Sequence, residues 1–545
     1  MKTTTDWPKI VAEKNQIIAE QEQAIVKNNN KISELEALVN FYEAQFRLNQ
    51  HRRFGASSEK TEYDQPDIFD EVEATVDAKE PEPELTEIVR HYRKRKRLVN
   101  DRLPEDLPVE TVEHDLPAEE QTCPECKGNL HVMGTTSRRE LVIIPAQITI
   151  REHVSNTYAC RECEKTTDGE TPVPIIQAPI KAPVIKGSFA SPEAIAHIIC
   201  QKFVMAVPLY RQEKDWERQG INLTRQTMSN WLLKATEDWL VPIYVALKDE
   251  MLANHDTLHA DETILQVLKE PGKSPQSKSY MWLYRTSGYN EKGDKTKFPV
   301  VLYEYQPGRH AKYPAKFLQG YKGYLHVDGY EGYHSLPNDI TIVGCFQHAS
   351  RKFDEALKSL PPDARKDSDA QKGKSYCVKL FELERSFNEE GLSPMERFDK
   401  RQSLSKPILD EFYTWLGTVR ALPKMPLGMA KRYAIDQRVY LERYLLDGRL
   451  ELSNNRAERS IKPFVIGRKN FLFANTVRGA NASAVLYSII ETAKECGLNP
   501  HKYLTYIFQN APDLDLRNNV DATLKLLPQF APAQCFAPGE YERRF

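Results

Sequence analysis

Apolar residues recur every seventh position along the first fifty residues, at Val11, Ile18, Ile25, Ile32, Val39 and Phe46. Residues 8 to 50 lack glycine and carry no proline after Pro8, so the pattern predicts one continuous helix with the seam of a coiled coil. The companion positions (Lys14, Gln21, Asn28, Leu35, Tyr42) are mostly polar. Two readings therefore stand side by side: a weak or register-specific coiled coil that self-associates, and an amphipathic helix packed on its own protein.

Helical periodicity returns after the proline-rich stretch Pro172–Pro183. Ser191-Pro-Glu has the form of an N-cap followed by an N1 proline. Pro208 to Gly220 predicts a helix ended by glycine, and a second helix capped by Thr224 follows over residues 224–234. This is the outline of a helix-turn-helix, with Arg225, Gln226, Ser229 and Asn230 at the start of the second helix, where base edges are read. The competing reading is an ordinary helical hairpin with Met228, Trp231 and Leu232 in its core.

From residue 256 the texture changes to strands rich in aromatic and β-branched residues: Thr257–Leu268, Tyr280–Tyr284, Val300–Tyr305, Gly323–Asp328 and Ile340–Cys345. Charged, helix-period segments fill 348–450, and a small-residue helix runs from Ala480 to Cys496, closed by Gly497. At 545 residues the chain is too long for one core.

The net charge of −2 hides a segregation of sign. Eleven acids and one lysine lie between Glu62 and Glu87, and six of the eight residues Arg90–Arg97 are basic. The acidic block reads as a solvated linker, and the basic block as either linker or phosphate contact. No stretch reaches the roughly 18–20 apolar residues of a membrane span, and the first residues lack the apolar core of a signal peptide. A cytoplasmic location is expected. Of nine cysteines, four form Cys123-Pro-Glu-Cys126 and Cys160-Arg-Glu-Cys163, spacing that fits a zinc ribbon with four thiolates around one structural Zn²⁺. Glu140–Val154 between them predicts strands.

Glu458 is the one acid between Asn454 and Arg478, among Arg456, Arg459, Lys462, Arg468, Lys469 and Arg478. Cations hold phosphates, and a carboxylate among them suits a divalent metal acting on one. Two further carboxylates lie upstream on strands: Asp261 on the first and Asp328 at the end of the fourth. Two strand aspartates and a late helical glutamate follow the order of acids in a ribonuclease-H-like nuclease core. Two Mg²⁺ (or Mn²⁺) ions would need such hard oxygen ligands. The interval from Asp328 to Glu458 is too long for a direct crossover, so a helical insertion is expected there. Glu262 and Glu331 are the alternative acids. Strand alternation turns Glu262 away from Asp261, so one of the two points into the site.

These motifs resemble the DDE transposases of bacterial insertion sequences, in the family named after insertion sequence sixty-six. The resemblance rests on Arg53-Phe-Gly-Ala-Ser-Ser-Glu-Lys60, the four cysteines, Pro208-Leu-Tyr-Arg-Gln-Glu213, His259-Ala-Asp-Glu-Thr263 and Val327-Asp-Gly-Tyr-Glu-Gly-Tyr333. It rests further on Gly344-Cys-Phe-Gln-His-Ala-Ser-Arg-Lys-Phe353, Asn454-Asn-Arg-Ala-Glu-Arg-Ser-Ile-Lys-Pro463 and Gly467-Arg-Lys-Asn-Phe-Leu-Phe473. The family usually has aspartate where Ser453 stands and two arginines at Ser350-Arg351. The resemblance implies Asp261, Asp328 and Glu458 as catalytic triad and magnesium ligands.

The expected fold is therefore multidomain. A coiled-coil helix (1–52), charged linker (53–102), four-cysteine zinc ribbon (103–175) and helix-turn-helix domain (185–250) precede an α/β ribonuclease-H-like catalytic core. That core spans 251–349 and 451–510, with a helical insertion at 350–450, and a tail covers 511–545. Double-stranded DNA, as terminal repeats and target, is the expected partner, with a homo-oligomer, accessory proteins of the same element and a nucleoid-associated location implied. Arg351, Lys352, Arg459, Lys462, Arg468 and Lys469 are expected near DNA phosphates, and His348 reads as a structural histidine beside them. The alternatives are a DNA-binding regulator without chemistry, a catalytically inactive or domesticated derivative, and a junction-resolving nuclease on the same core.

Overall fold

The computed structural model describes residues 7–54, 148–159, 175–179, 182–290 and 292–544. They belong to two compact units, Met1–Ser57 with Lys181–Phe545, and Ser58–Ile180.

A mixed sheet organises the larger unit. Strands β1 (Thr257–Lys269), β2 (Lys278–Thr286) and β3 (Val301–Gln306) form an antiparallel meander. Strands β4 (Gly323–His326) and β5 (Ile340–Val343) run parallel to β1 on its other side, giving the order β3-β2-β1-β4-β5. A sixth strand, β6 (Ala474–Thr476), pairs in parallel with the far end of β1. Met281, Trp282, Leu283 and Tyr284 of β2 are all buried, because helices cover both faces of the middle of the sheet. Gly323 opens β4 at φ +142, with the Asp256 backbone where a Cβ would stand, so only glycine fits where β4 meets the start of β1.

Helix α1 (Trp7–Phe54) is continuous, as the heptad pattern predicts. Ile25, Ile32, Val39 and Phe46 are 52–63% exposed, so these four seam residues do not pack on other described parts of the chain. Ala44 and Leu48 are buried instead, and Arg47 Nε donates to the Ser359 carbonyl at 2.8 Å. Helices α2 (Pro192–Phe203), α3 (Leu209–Arg218), α4 (Arg225–Ala235) and α5 (Val241–Asn254) follow. Ser191 and Thr224 cap α2 and α4 by accepting the N–H groups of Ala194 and Thr227. Ile195, Trp231 and Leu247 from these helices share one core with Leu258, Trp282 and Val301 of the sheet.

After β5 come α6 (Phe346–Lys358), α7 (Asp369–Glu389), α8 (Lys406–Thr418) and α9 (Pro426–Asp436). They build a second core from Phe353, Tyr376, Leu380, Phe412 and Trp415. Arg401, fully buried, anchors this layer. Its guanidinium bonds both Glu384 oxygens at 2.7 Å and the carbonyls of Tyr444, Asp447 and Leu450 at 2.8–2.9 Å. All five N–H donors are thereby used, and the chain leading into the next helix is fixed. That helix is α10 (Asn455–Phe471), followed by α11 (Val477–Glu495) and α12 (Pro500–Asn510).

β3 is an edge strand, and α11 covers its free side. Thr492 Oγ1 accepts from the Val301 N–H at 3.0 Å and donates to the Val301 carbonyl at 2.9 Å. Ser488 Oγ accepts from the Tyr303 N–H at 2.7 Å. Small residues along α11 let it come this close, and the hydroxyls replace the missing neighbour strand.

In the smaller unit, Thr157–Ala159 pairs antiparallel with Ile175–Gln177. The expected strand over Glu140–Val154 is not seen in its described part: residues 148–154 have no regular structure, and Ile150 is 97% exposed with no strand beside it among the described residues. Cys123, Cys126, Cys160 and Cys163 lie outside the described residues. No helix among the described residues is long and apolar enough to cross a membrane.

Thr492→Val keeps the volume at 492 and removes the hydroxyl from the β3 edge. It should cost about 1–3 kcal/mol, read as a lower urea midpoint with an unchanged slope.

Candidate active site

The sheet register brings the two aspartates together. β1 and β4 are parallel with His259 opposite His326. Two residues further along each chain stand Asp261 and Asp328, on neighbouring paths about 4.8 Å apart. Below them the two buried imidazoles stack, ring centroids 4.3 Å apart. Asp328 falls two residues past the end of β4 rather than within it, although the Val327 N–H still bonds the Val343 carbonyl at 3.0 Å.

Asp261 accepts the Glu262 N–H at 2.8 Å. Burial holds its carboxyl well above the usual aspartate range, and the charges of Glu262, Asp328 and Glu458 push it the same way. Asp261 thus feels both of the other acids implied as triad members. Asp328 accepts the Tyr330 N–H at 2.9 Å.

Glu458 lies in the first turn of α10, where the helix dipole favours an anion. Arg351, from α6, reaches its Oε2 at 2.8 Å, while Oε1 is buried without a hydrogen bond. Asn454, just before α10, fixes the turn. Its amide donates to the Ala260 carbonyl at 2.8 Å and accepts from His259 Nδ1 at 3.0 Å, and its N–H donates to Cys345 Sγ at 3.1 Å.

Glu262 faces the other way, as alternation requires, yet it is part of the same electrostatic unit. Its side chain is buried, bonded by Arg309 Nε at 2.6 Å and the Tyr333 hydroxyl at 2.5 Å. Arg309 lies over the Tyr330 ring, with its guanidinium 3.9 Å from Asp328. Burial raises the Glu262 carboxyl, with Asp328 adding to it against Tyr333 and Arg309. Glu331 is exposed at the start of a short helix, Glu331–His334. Arg309, Tyr333 and Asn454 were not singled out from the sequence. Tyr333 closes and Asn454 opens motifs quoted above, but no role could be read for the three, because the Glu262 and His259 side chains that they bind lie 47, 71 and 195 residues away.

The candidate DNA contacts separate into groups. Arg459, Lys462 and Lys469 are exposed on α10, and Arg468 donates to Thr263 Oγ1 at 3.2 Å. Two cations of the same run face acids from elsewhere: Arg456 pairs with Glu451 at 2.6 Å and Arg478 with Glu237 at 2.5 Å. Lys352 stands over the Tyr433 ring at 5.0 Å. On α4, Arg225, Gln226 and Asn230 are exposed and Ser229 is half-buried. The Arg225 N–H bonds Glu213, and Gln226 bonds Asn230.

Mutually repelling carboxylates, one carrying an orphaned buried oxygen, are what a divalent cation relieves, and oxygen donors suit Mg²⁺ or Mn²⁺. The oxygen donors of Asp261, Asp328 and Glu458 are of the kind such ions take.

Fold and site together define a multidomain chain whose mixed sheet and helices gather acids beside a row of cations. The chain belongs to a transposase family: the model described as Transposase IS66 family matches residues 187–482. Models described as the zinc-finger binding domain of transposase IS66, the Transposase C of IS166 homeodomain and the IS66 C-terminal element match residues 120–164, 42–112 and 488–528. Two relatives from Sinorhizobium fredii bear the names uncharacterized protein y4jD and uncharacterized protein y4hP. The first is 30% identical over 420 residues, covering 75% of this chain and 77% of its own; the second is 30% identical over 438, covering 77% and 75%.

A carboxyl that binds its proton more tightly in the folded state opposes folding as it ionises. The penalty is absent below the ordinary aspartate range and grows as pH rises through the elevated folded value. Asp261→Asn removes it. Without divalent metal, the variant should melt above wild type at about pH 8, with the gap closing towards about pH 3 and on saturation of wild type with Mg²⁺. Equal melting across that range would show that Asp261 carries no such penalty.

Proposed function

We propose that the core is ribonuclease-H-like and that the chain is a DDE transposase. In this reading it binds the terminal repeats of an insertion sequence, cleaves 3′ strand ends and joins them to target DNA. The observation that carries the reading is the parallel register His259 opposite His326, which supports a place for Asp328 beside Asp261, with the charge of Glu458 raising Asp261 further. The strand order, with an antiparallel meander and two parallel strands beside β1, supports the fold assignment.

When bound, divalent ions would stabilise the attacking and leaving oxygens of an in-line displacement at phosphorus. Asp261, Asp328 and Glu458 would hold them. In cleavage, water attacks phosphorus and the bond to the 3′ oxygen breaks, freeing a 3′-hydroxyl; in joining, that hydroxyl attacks a target phosphodiester, the bond to the target strand's own 3′ oxygen breaks, and that oxygen leaves as a hydroxyl. Arg459, Lys462 and Lys469 would hold backbone phosphates beside α10, with Arg468 steadied on β1. Arg351, now paired with Glu458, would turn to phosphate once a metal takes over that carboxylate's charge. Arg309 keeps Glu262 satisfied, so the acids behind Asp328 do not compete for the cation.

The exposed start of α4 supports sequence-specific contacts by Arg225, Gln226 and Asn230, with Ser229 beside them, as the second helix of a helix-turn-helix. The two C-x-x-C pairs within the matched zinc-finger region support one Zn²⁺ held by Cys123, Cys126, Cys160 and Cys163. The exposed seam of α1 supports self-association.

Asp261→Asn, Asp328→Asn and Glu458→Gln keep side-chain size and remove the charge. With labelled element ends and Mg²⁺ or Mn²⁺, each should lower nicking and joining by several orders of magnitude while gel-shift binding persists or rises slightly. Cleavage by Glu458→Gln at the wild-type rate would overturn the assignment. Zinc analysis of the purified chain should find an ion that Cys123→Ser releases; a zinc content unchanged by that substitution would remove the ribbon.

A further inference from the structure

Cys345, His348 and Glu458 come together at the junction of β5, α6 and α10, and all three donor atoms lie within 4.8 Å of one another. We propose that Cys345 Sγ, His348 Nδ1 and Glu458 Oε1 form a site for one divalent transition ion of the zinc class. We further propose that filling it draws Glu458 away from Asp261 and Asp328. The binding half stands on its own, whereas the competition half rests on the nuclease reading above.

Two buried atoms lack any hydrogen-bond partner, His348 Nδ1 and Glu458 Oε1, and they face each other at 4.0 Å. Around a tetrahedral ion with N, O and S ligands the donors stand roughly 3.3–3.8 Å apart, so small side-chain shifts close the set. Cys345 is the N-cap of α6 and His348 its third residue, which turns both side chains toward the same end of the helix. The sulfur accepts the Asn454 N–H at 3.1 Å. Backbone N–H groups on a sulfur, together with a helix N-terminus, stabilise a thiolate once a cation has displaced its proton.

Ligand type decides the ion. A thiolate and an imidazole select zinc-class metals and are poor ligands for Mg²⁺. The side chains of His348 and Glu458 are 28% and 20% exposed, which leaves a solvent path and an open fourth position. Glu458 Oε2 keeps Arg351 at 2.8 Å, so an ion at Oε1 would occupy both carboxylate oxygens.

The test is equilibrium dialysis of the full-length chain against Zn²⁺ and Co²⁺, for wild type, Cys345→Ser, His348→Gln and Asp328→Asn. The expected result is one ion per chain fewer in Cys345→Ser and His348→Gln than in wild type. A thiolate-to-Co²⁺ absorption band should appear in the wild type minus Cys345→Ser difference spectrum, and Asp328→Asn should keep both ion and band. His348→Gln, at a partly exposed position, guards against misfolding of the buried Cys345→Ser variant. Equal stoichiometry and spectra in all four proteins would overturn the proposal. So would loss of the ion in Asp328→Asn, which would assign it to the carboxylate site. In cleavage assays with Mg²⁺, trace Zn²⁺ should suppress wild type, while the ratio of rates with and without Zn²⁺ returns to one in His348→Gln. Binding without suppression would overturn the competition half. Absence of cleavage under every condition would instead count against the nuclease reading and leave the dialysis result standing.

Discussion

One buried amide holds the acidic site in register. Asn454 is 1% exposed and touches three elements at once: β1 at His259 and Ala260, the β5–α6 junction at Cys345, and α10, whose first helical bond runs from the Glu458 N–H to the Asn454 carbonyl. Each of these groups would otherwise be a buried, unpaired polar atom. The position of Glu458 relative to Asp261 is therefore set by hydrogen bonds of fixed direction and length. Arg401 extends that control outward, since its guanidinium fixes the carbonyls of Tyr444, Asp447 and Leu450 just ahead of Asn454. The helical layer after β5 is thus coupled to the placement of an acid in the sheet layer.

The acids gathered within β1, past the end of β4 and in the first turn of α10 repel one another, and the protein answers each differently. Glu262 is neutralised internally by Arg309 and Tyr333. Glu458 is answered by Arg351, whose side chain is 44% exposed. Asp261 has, among the described residues, a backbone N–H alone, and burial and its neighbours raise its proton affinity. That gradient, from fully answered to unanswered, runs toward the place where a cation fits best.

The parts legible in the sequence are those with local causes. Ser191 and Thr224 cap their helices through N–H groups three residues on, and runs rich in aromatic and β-branched residues mark the five main strands. The acids at 261, 328 and 458 stood out because each interrupts a pattern around it. What stayed hidden depends on distance along the chain. Strand order and register follow from packing and are written in no short motif. The isolated acid among six cations proved less isolated, because Arg456 and Arg478 find Glu451 and Glu237 from other elements. Cys345 and His348 form a visible C-x-x-H pair, but it became a cluster only when Glu458 arrived from α10. The expected strand before Val154 is absent from its described part, residues 148–154, where Ile150 is 97% exposed and no described strand pairs with it.

The cover over the β3 edge has a consequence for synthesis. Val301 and its partner Thr492 are 191 residues apart in the chain. A ribosome making protein at about 5–20 residues per second therefore holds the emerging sheet for some ten seconds or more before α11 exists. During that interval the edge presents unpaired N–H and C=O groups to any other extended chain, including one on the next ribosome. The helical layer made in between, with a core of its own, can fold while the edge waits. Production of the protein should then be limited less by its final stability than by how crowded its own messenger is with ribosomes.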